Sequence, residues 1–325
     1  MAIGSGIGSQ LGIATESTFN TPVTVTRFYE FTSENLTYNK KVAVGMGLRA
    51  GGQLPRSQRR VVTTTDSTGD ITLDLPTRGL GLLLSHAMGS TPSATTTTTG
   101  VYSYTFTLGD VYGSSFTAQV GVPQYGGTVT PKTIGGAKIQ NFELGVAAGG
   151  IATGKFTVDA ASLTTGVSLA TASYSTISNL FHFAQGALTV NGTSVANVKD
   201  FTVTVANTLK GDRYNLGSAG TKAEQVINGF RKISGKLTAE FSDTTLLNAF
   251  LADSTTALVL TFTGATIANG AKETLSITIP AAKFNADTPN VPGAGVIDLS
   301  MTFEGYDDGS NQPLTIVYQT ADSSL

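Results

Sequence analysis

The sequence predicts a mainly β protein made of two similar modules in tandem. Three observations carry this reading. Apolar and polar residues alternate with period two along most of the chain, which sets one row of side chains on a buried sheet face and the other in water. Charged residues are only 13% of the total against 40% apolar, about half the usual charged share of roughly 25%. The polar surface must therefore come from Ser, Thr, Asn, Gln and Gly. Finally, a strand followed by a helix recurs later in the chain. At roughly 100 to 200 residues per domain, a length of 325 residues accommodates two modules.

The alternating segments are 71–75 (ITLDL), 102–108 (YSYTFTL), 115–122 (SFTAQVGV), 139–146 (IQNFELGV), 155–160 (KFTVDA), 187–191, 200–206 (DFTVTVA), 236–241 (KLTAEF), 257–264 (ALVLTFTG), 274–280 (TLSITIP), 296–304 (VIDLSMTFE) and 314–318. β-Branched and aromatic residues fill them, with Gly, Pro, Asn and Asp between, as strands and turns require. Two stretches break the rhythm. Leu80, Leu83, Leu84 and Ala87 fall at helical spacing after Thr77, and Leu246, Ala249 and Phe250 do so after Asp243. Each has one apolar face, and Thr77 and Asp243 are the expected N-caps. A short helix with a single apolar stripe must lie on a sheet.

A shift of 166 residues places Gly69 on Gly235, Ile71 on Leu237, Thr77 on Asp243, Leu80 on Leu246 and Leu84 on Phe250. A shift of 156 places Thr105-Phe106-Thr107 on Thr261-Phe262-Thr263, and a shift of 145 places Ala137-Lys138-Ile139 on Ala282-Lys283-Phe284 and Phe156 on Met301. The ordered series implies an internal duplication. The expected division is an N-terminal arm over 1–27, a first module over 28–160, a Ser/Thr/Ala-rich connector over 161–179, a second module over 180–306 and a C-terminal tail strand over 307–325. The arm is weakly periodic and rich in Gly, Ser and Thr, so it is expected to be mobile in a free subunit; the tail is expected to dock by strand addition.

Chemistry is poorly supplied. The chain has no cysteine, which excludes disulfide scaffolds, thiolate metal sites and thiol catalysis. Its histidines are His86, on the predicted helix, and His182, between Phe181 and Phe183; both read as structural. No nucleophile elbow or phosphate-binding loop occurs. The glycine clusters at 4–8 and 45–52 read as flexible loops, residues 307–311 (DDGSN) as a polar turn lacking a calcium loop's alternating ligands, and the Thr run 95–99 as a loop tip. No catalytic, cofactor-binding or metal-ligating residue is nominated, and no enzyme is expected. A net charge of −2 argues against a surface built to hold nucleic acid or anionic membrane. The greasiest stretch, 79–88, is too short to span a bilayer, and the N-terminus lacks the basic and apolar regions of a secretory signal. The chain is expected to be made and kept in the cytosol until it assembles.

Charge distribution is the most informative functional signal. Lys40, Lys41, Arg49, Arg56, Arg59 and Arg60 lie within 35–65, which holds no acid, whereas 284–325 holds Asp287, Asp298, Glu304, Asp307, Asp308 and Asp322 and no Lys or Arg. Complementary potentials orient partners, so the basic loop of one copy is expected to meet the acidic segment of another, chiefly Asp298, Glu304, Asp307 and Asp308. A nucleic-acid role for the loop is disfavoured by its lack of interleaved aromatics.

The N-terminal residues 8–39 (GSQLGIATESTFNTPVTVTRFYEFTSENLTYN), the Gly/Arg loop after them and the strand-plus-helix 69–89 (GDITLDLPTRGLGLLLSHAMG) together resemble the tail tube, or major tail, proteins of long-tailed bacteriophages, in the branch where one subunit carries two fused tube folds. The resemblance spans most of the chain. It implies two tandem β-sandwich or half-barrel modules, each with a short flanking helix, in a structural virion protein assembled in the host cytoplasm. It implies rings with strands lining a channel, stacked into the tube through which genome DNA leaves, with other tail proteins as further partners and no cofactor. Two folds per chain predict a homotrimeric ring with pseudo-sixfold symmetry, the alternative being a homohexamer. DNA would pass without specific binding, so the lumen is expected to be acidic or neutral. The rival reading is a β-sandwich surface or virion protein that binds a receptor or glycan; the missing signal and the absence of Trp weigh against it. A hydrolase on a β-scaffold lacks a catalytic set.

Overall fold

The computed structural model describes residues 4–176, 179–286, 288–291 and 293–325, so Asp287 of the acidic segment lies outside the described residues. Every strand expected from alternation is present, and the Thr run 95–99, expected as a loop tip, is instead a short strand over Thr95–Thr98 paired with Val101–Thr107. The first half holds β1 (Gln10–Thr15), β2 (Arg27–Tyr29), β3 (Ser33–Glu34), β4 (Thr37–Val44), β5 (Arg60–Asp74), α1 (Gly81–Met88), β6 (Thr95–Thr98), β7 (Val101–Thr107), β8 (Phe116–Pro123), β9 (Val129–Ala147), β10 (Thr153–Ala160) and β11 (Ser162–Thr164). The second holds β12 (Gly186–Val190), β13 (Thr193–Val195), β14 (Val198–Ala206), β15 (Leu209–Lys210), β16 (Val226–Ile227), β17 (Lys232–Glu240), α2 (Thr245–Leu251), β18 (Thr256–Ala268), β19 (Ala271–Ala286), β20 (Asp298–Gly305) and β21 (Thr315–Thr320). The protein is mainly β.

One sheet runs β4–β5–β10–β9–β14–β17–β20–β19, every pairing antiparallel, and so crosses from one half to the other at β9 and β14. Its inner face is apolar: Ile71, Phe156, Phe142, Phe201, Leu237, Met301 and Phe303 are buried. The N-terminal part of β9 leaves this sheet and joins β2–β1–β8 on one side and β11 on the other. The strand changes sheet at Gly136, where φ is +63° and an added Cβ would meet the Phe19 ring at 2.8 Å, so a residue with no side chain is needed there. In the second half β19 does likewise, lying between β18 and β21 before it reaches β20.

Pairing registers coincide between the halves. Ile71 faces Phe156 as Leu237 faces Met301, and Val158 faces Ile139 as Phe303 faces Phe284, which are the offsets of 166 and 145 read from the sequence. The offset of 156 is not reproduced. Thr105–Thr107 lies on β21, whereas Thr261–Thr263 belongs to β18, which lies between β12 and β19; the first-half strand with that pairing is β8, between β1 and β9. Short Thr-Phe-Thr strings match each other cheaply, and pairing, not identity, separates them.

Both helices lie on sheets, α1 on β9 and β7 and α2 on β19, but their expected caps are corrected. The helix begins after Leu80 in the first case, and Thr77 is a buried residue whose backbone bridges to Asn179. In the second the cap position is Thr244, and Asp243 Oδ1 accepts from the Thr245 N–H at 2.8 Å. The mobile-arm expectation also fails. From Gln10 the chain is a strand between β2 and β8 with Leu11 and Ile13 buried, and since Leu11 to Ala14 are all buried no alternation marks it in the sequence. The Glu16 carboxylate then accepts from Ser115 Oγ (2.7 Å), Thr117 Oγ1 (2.9 Å) and the N–H groups of Asn20 (2.9 Å) and Gly136 (3.0 Å), fastening this segment to β8 and β9. The tail strand does dock by strand addition, but within its own chain, between β7 and β19.

His86 is structural. Its Nε2 lies 3.0 Å from Thr15 Oγ1 and its Nδ1 3.4 Å from Ser114 Oγ, and burial, with the nearby Lys138 charge, pushes its pKa down to about 4. The unfolded chain takes up this proton near pH 6.5, so the neutral ring's contribution is complete above that pH. It is lost as pH falls towards 4, by up to about 3 kcal/mol. Urea midpoints measured from pH 7 to 4.5 should therefore fall less steeply for His86→Gln than for the parent chain; parallel curves would refute this origin.

Candidate assembly surfaces

β5 leaves β10 at Ser67 and continues outward with β4 as a ribbon, which a bridge from Thr65 to Thr221 ties at its base to the segment 207–231. The sequence explains the ribbon: Val42, Val61 and Val62 keep strand character, while 45–59 holds glycines, a proline and arginines that suit a loop. Lys40 and Lys41 lie on β4, Arg60 opens β5, and Arg49, Arg56 and Arg59 lie on the tip between them; all six are exposed. None forms an ion pair within the chain among the described residues. Met46, Leu48 and Leu54 of the same tip are also bare, Leu48 fully so.

The acidic group is at the other end of the sheet. Asp298 and Glu304 lie on β20 and share its outward row, since Leu299, Met301 and Phe303 point inward. Asp298 pairs with Lys199 at 2.7 Å; Glu304 pairs with Lys232 at 2.9 Å and accepts from Tyr306 at 3.0 Å, and these partners hold its carboxyl below the usual range. Asp307 and Asp308 cap the following turn, accepting from Gly309 N–H and from Ser310 and Asn311. Between β4 and β20 stand β5, β10, β9, β14 and β17, so at about 4.8 Å per strand the two groups lie roughly 29 Å apart. Within one chain the structure does not bring them together.

Sequence reading missed a third group. Residues 207–231, from the second half, lie across the first. Lys222 Nζ meets Asp159 Oδ1 at 2.5 Å, and Lys138 Nζ meets Glu224 Oε1 at 2.6 Å. Asn207 Nδ2 donates to Ala87 O (2.9 Å) and Ile139 O (2.8 Å), and Arg231 donates to Met88 O and Gly109 O at the end of α1. Lys138, Lys222 and Asp159 are buried. Burial pushes the Asp159 carboxyl up and the Lys138 ammonium down, each against the pull of its partner. The available signal was Lys138 itself, the one charged residue in the run 134–139 (IGGAKI), which demands a buried partner.

The chain matches the family model described as "Phage tail tube protein" over residues 6–305 and belongs to that family. It is thus a structural component of the bacteriophage tail, in keeping with the resemblance read from the sequence. No curated protein matches it. No helix among the described residues is long and apolar enough to cross a membrane.

Proposed function

We propose that three copies of this chain close into a ring with pseudo-sixfold symmetry and that rings stack into the tail tube that conducts genome DNA, assembling in the host cytoplasm. The observation that carries the reading is the eight-strand sheet, in which β4–β5–β10–β9 is followed by β14–β17–β20–β19 with coinciding registers. In this reading the chain is one module repeated. The first module begins at Gln10, since β1 stands to β8 as β12 stands to β18. Residues 161–179 connect the two, and β21 closes them.

Inside the chain, β14 of the second half seats on β9 of the first. Its counterpart by register is the β3–β4 segment, because Thr37 faces Thr68 as Thr204 faces Ser234. Among the described residues β4 pairs only with β5. Its outer edge is an open template for another chain, and a contact of one end with the opposite end closes when the rotation divides a full turn.

The outward face of this sheet supports the conduit role. It carries Thr, Ser and Asn, with Asp70, Glu143, Asp200, Glu240 and Asp298 interspersed with Lys155, Lys199, Lys232 and Lys236 and no arginine; Asp70, Glu240 and Asp298 are paired with Lys155 and Lys199. Such a near-neutral, internally paired face offers duplex phosphates few free cations, whereas several Arg contacts would bind them. Electron microscopy and mass measurement of purified protein at high concentration are expected to show rings of three chains and stacked tubes. Rings of six whole chains would overturn the trimer, and monodisperse particles that bind a glycan array would favour a surface-binding role instead.

A further inference from the structure

Residues 207–231 have a counterpart with nothing to hold. They join β14 to β17, and by register they correspond to residues 40–65, the outer part of the β4–β5 hairpin. The first loop covers a corner of the first half, where Asp159 and Lys138 are buried and seven of the eight α1 residues are buried. By the same offset of 145, that corner in the second half is Glu304 and Lys283 beside α2, and it is open. The side chains of both Glu304 and Lys283 are 37% exposed, α2 buries only Leu246, and Leu251 is 63% exposed. A surface that is covered in one module and bare in the other, together with a covering segment that is docked in one and free in the other, defines a missing contact.

Resting on the ring reading above, we infer that the tip of the β4–β5 hairpin of one copy lies on the second half of the next copy, over Glu304 and Lys283 and against α2. The partner is a second copy of this chain. At the offset of 166, Arg56 stands where Lys222 stands and meets Glu304 where Lys222 meets Asp159. The substitution of residue types suits a contact formed between chains. A guanidinium grips a carboxylate with two parallel hydrogen bonds and sheds water more readily than an ammonium. Met46, Leu48 and Leu54 on the same tip supply apolar area for the exposed Leu251. Opposite ends of the sheet then meet, so each copy gives a hairpin to one neighbour and receives one from the other.

Arg56 is exposed and Glu304 partly so, but Glu304→Arg also loses the Lys232 pair, so the thermal midpoint of each variant as a free chain is measured first, and an unchanged midpoint assigns any loss of rings to the contact. Arg56→Glu and Glu304→Arg singly are expected to lower the yield of rings about tenfold or more at fixed concentration, and the double variant to restore it. Because the chain has no cysteine, Arg56→Cys with Glu304→Cys can be joined by a short bismaleimide in preformed rings. Cross-linked products should end at the number of chains in one ring. A double reversal no better than the singles, rings that do not cross-link, or a ladder running past one ring overturns this contact while leaving the ring reading in place. A parent chain that forms no rings overturns both.

Discussion

Lys222→Met should lower the stability of the free chain by about 3–5 kcal/mol, because it leaves the Asp159 carboxylate buried without its cation. Asp159 Oδ2 already lacks a hydrogen-bond partner, so the substitution strands both oxygens. Lys222→Met with Asp159→Leu should recover most of the loss, since an apolar couple of similar volume leaves no buried charge to desolvate. Lys232→Met, at the exposed pair with Glu304, should leave the midpoint unchanged. Denaturant midpoints of the four proteins test this. Equal midpoints for Lys222→Met and the parent would mean that residues 207–231 do not fasten the halves.

Deleting residues 312–325 should abolish cooperative unfolding. The deletion removes Leu314, Ile316 and Tyr318, all buried, and bares the edges of β7 and β19. At roughly 1.5–3 kcal/mol per buried apolar side chain, the loss is of the order of 5–10 kcal/mol, comparable with the whole stability of an ordinary domain, about 5–15 kcal/mol. Loss of a sharp thermal transition, with rapid proteolysis, is the expected result. An unchanged transition would show that β21 is an ornament on a core already complete.

Alternation located the strands because each has one wet face and one dry face, and in the second half of β9 or in β20 that contrast is strong. It failed at Gln10–Thr15, where Leu11, Gly12, Ile13 and Ala14 are all buried and no polar face remains to mark the period. It also failed at the β4–β5 ribbon, which is exposed throughout β4 apart from a half-buried Val42 and so has no dry face. The helix starts were misplaced because a threonine or aspartate before an apolar run also suits a turn. Among the candidate site residues, the sign and exposure of the basic group were legible from local composition. The distance between it and the acidic group was not, because that depends on strand order. Nor was the Lys222–Asp159 pair, whose members are far apart in sequence and separately unremarkable.

Of the strands of this sheet, β21 is the last in chain order to be synthesised. The edge of β7 that it covers has been synthesised some two hundred residues earlier, a wait of roughly 10–40 s at about 5–20 residues per second. Until then the nascent chain carries the Tyr102–Thr107 strand unshielded, and only the emergence of β21 seals it. A prematurely ended polypeptide thus keeps a raw flank of the kind that chaperones and proteases seize, so quality control can remove it before it spoils a growing tail.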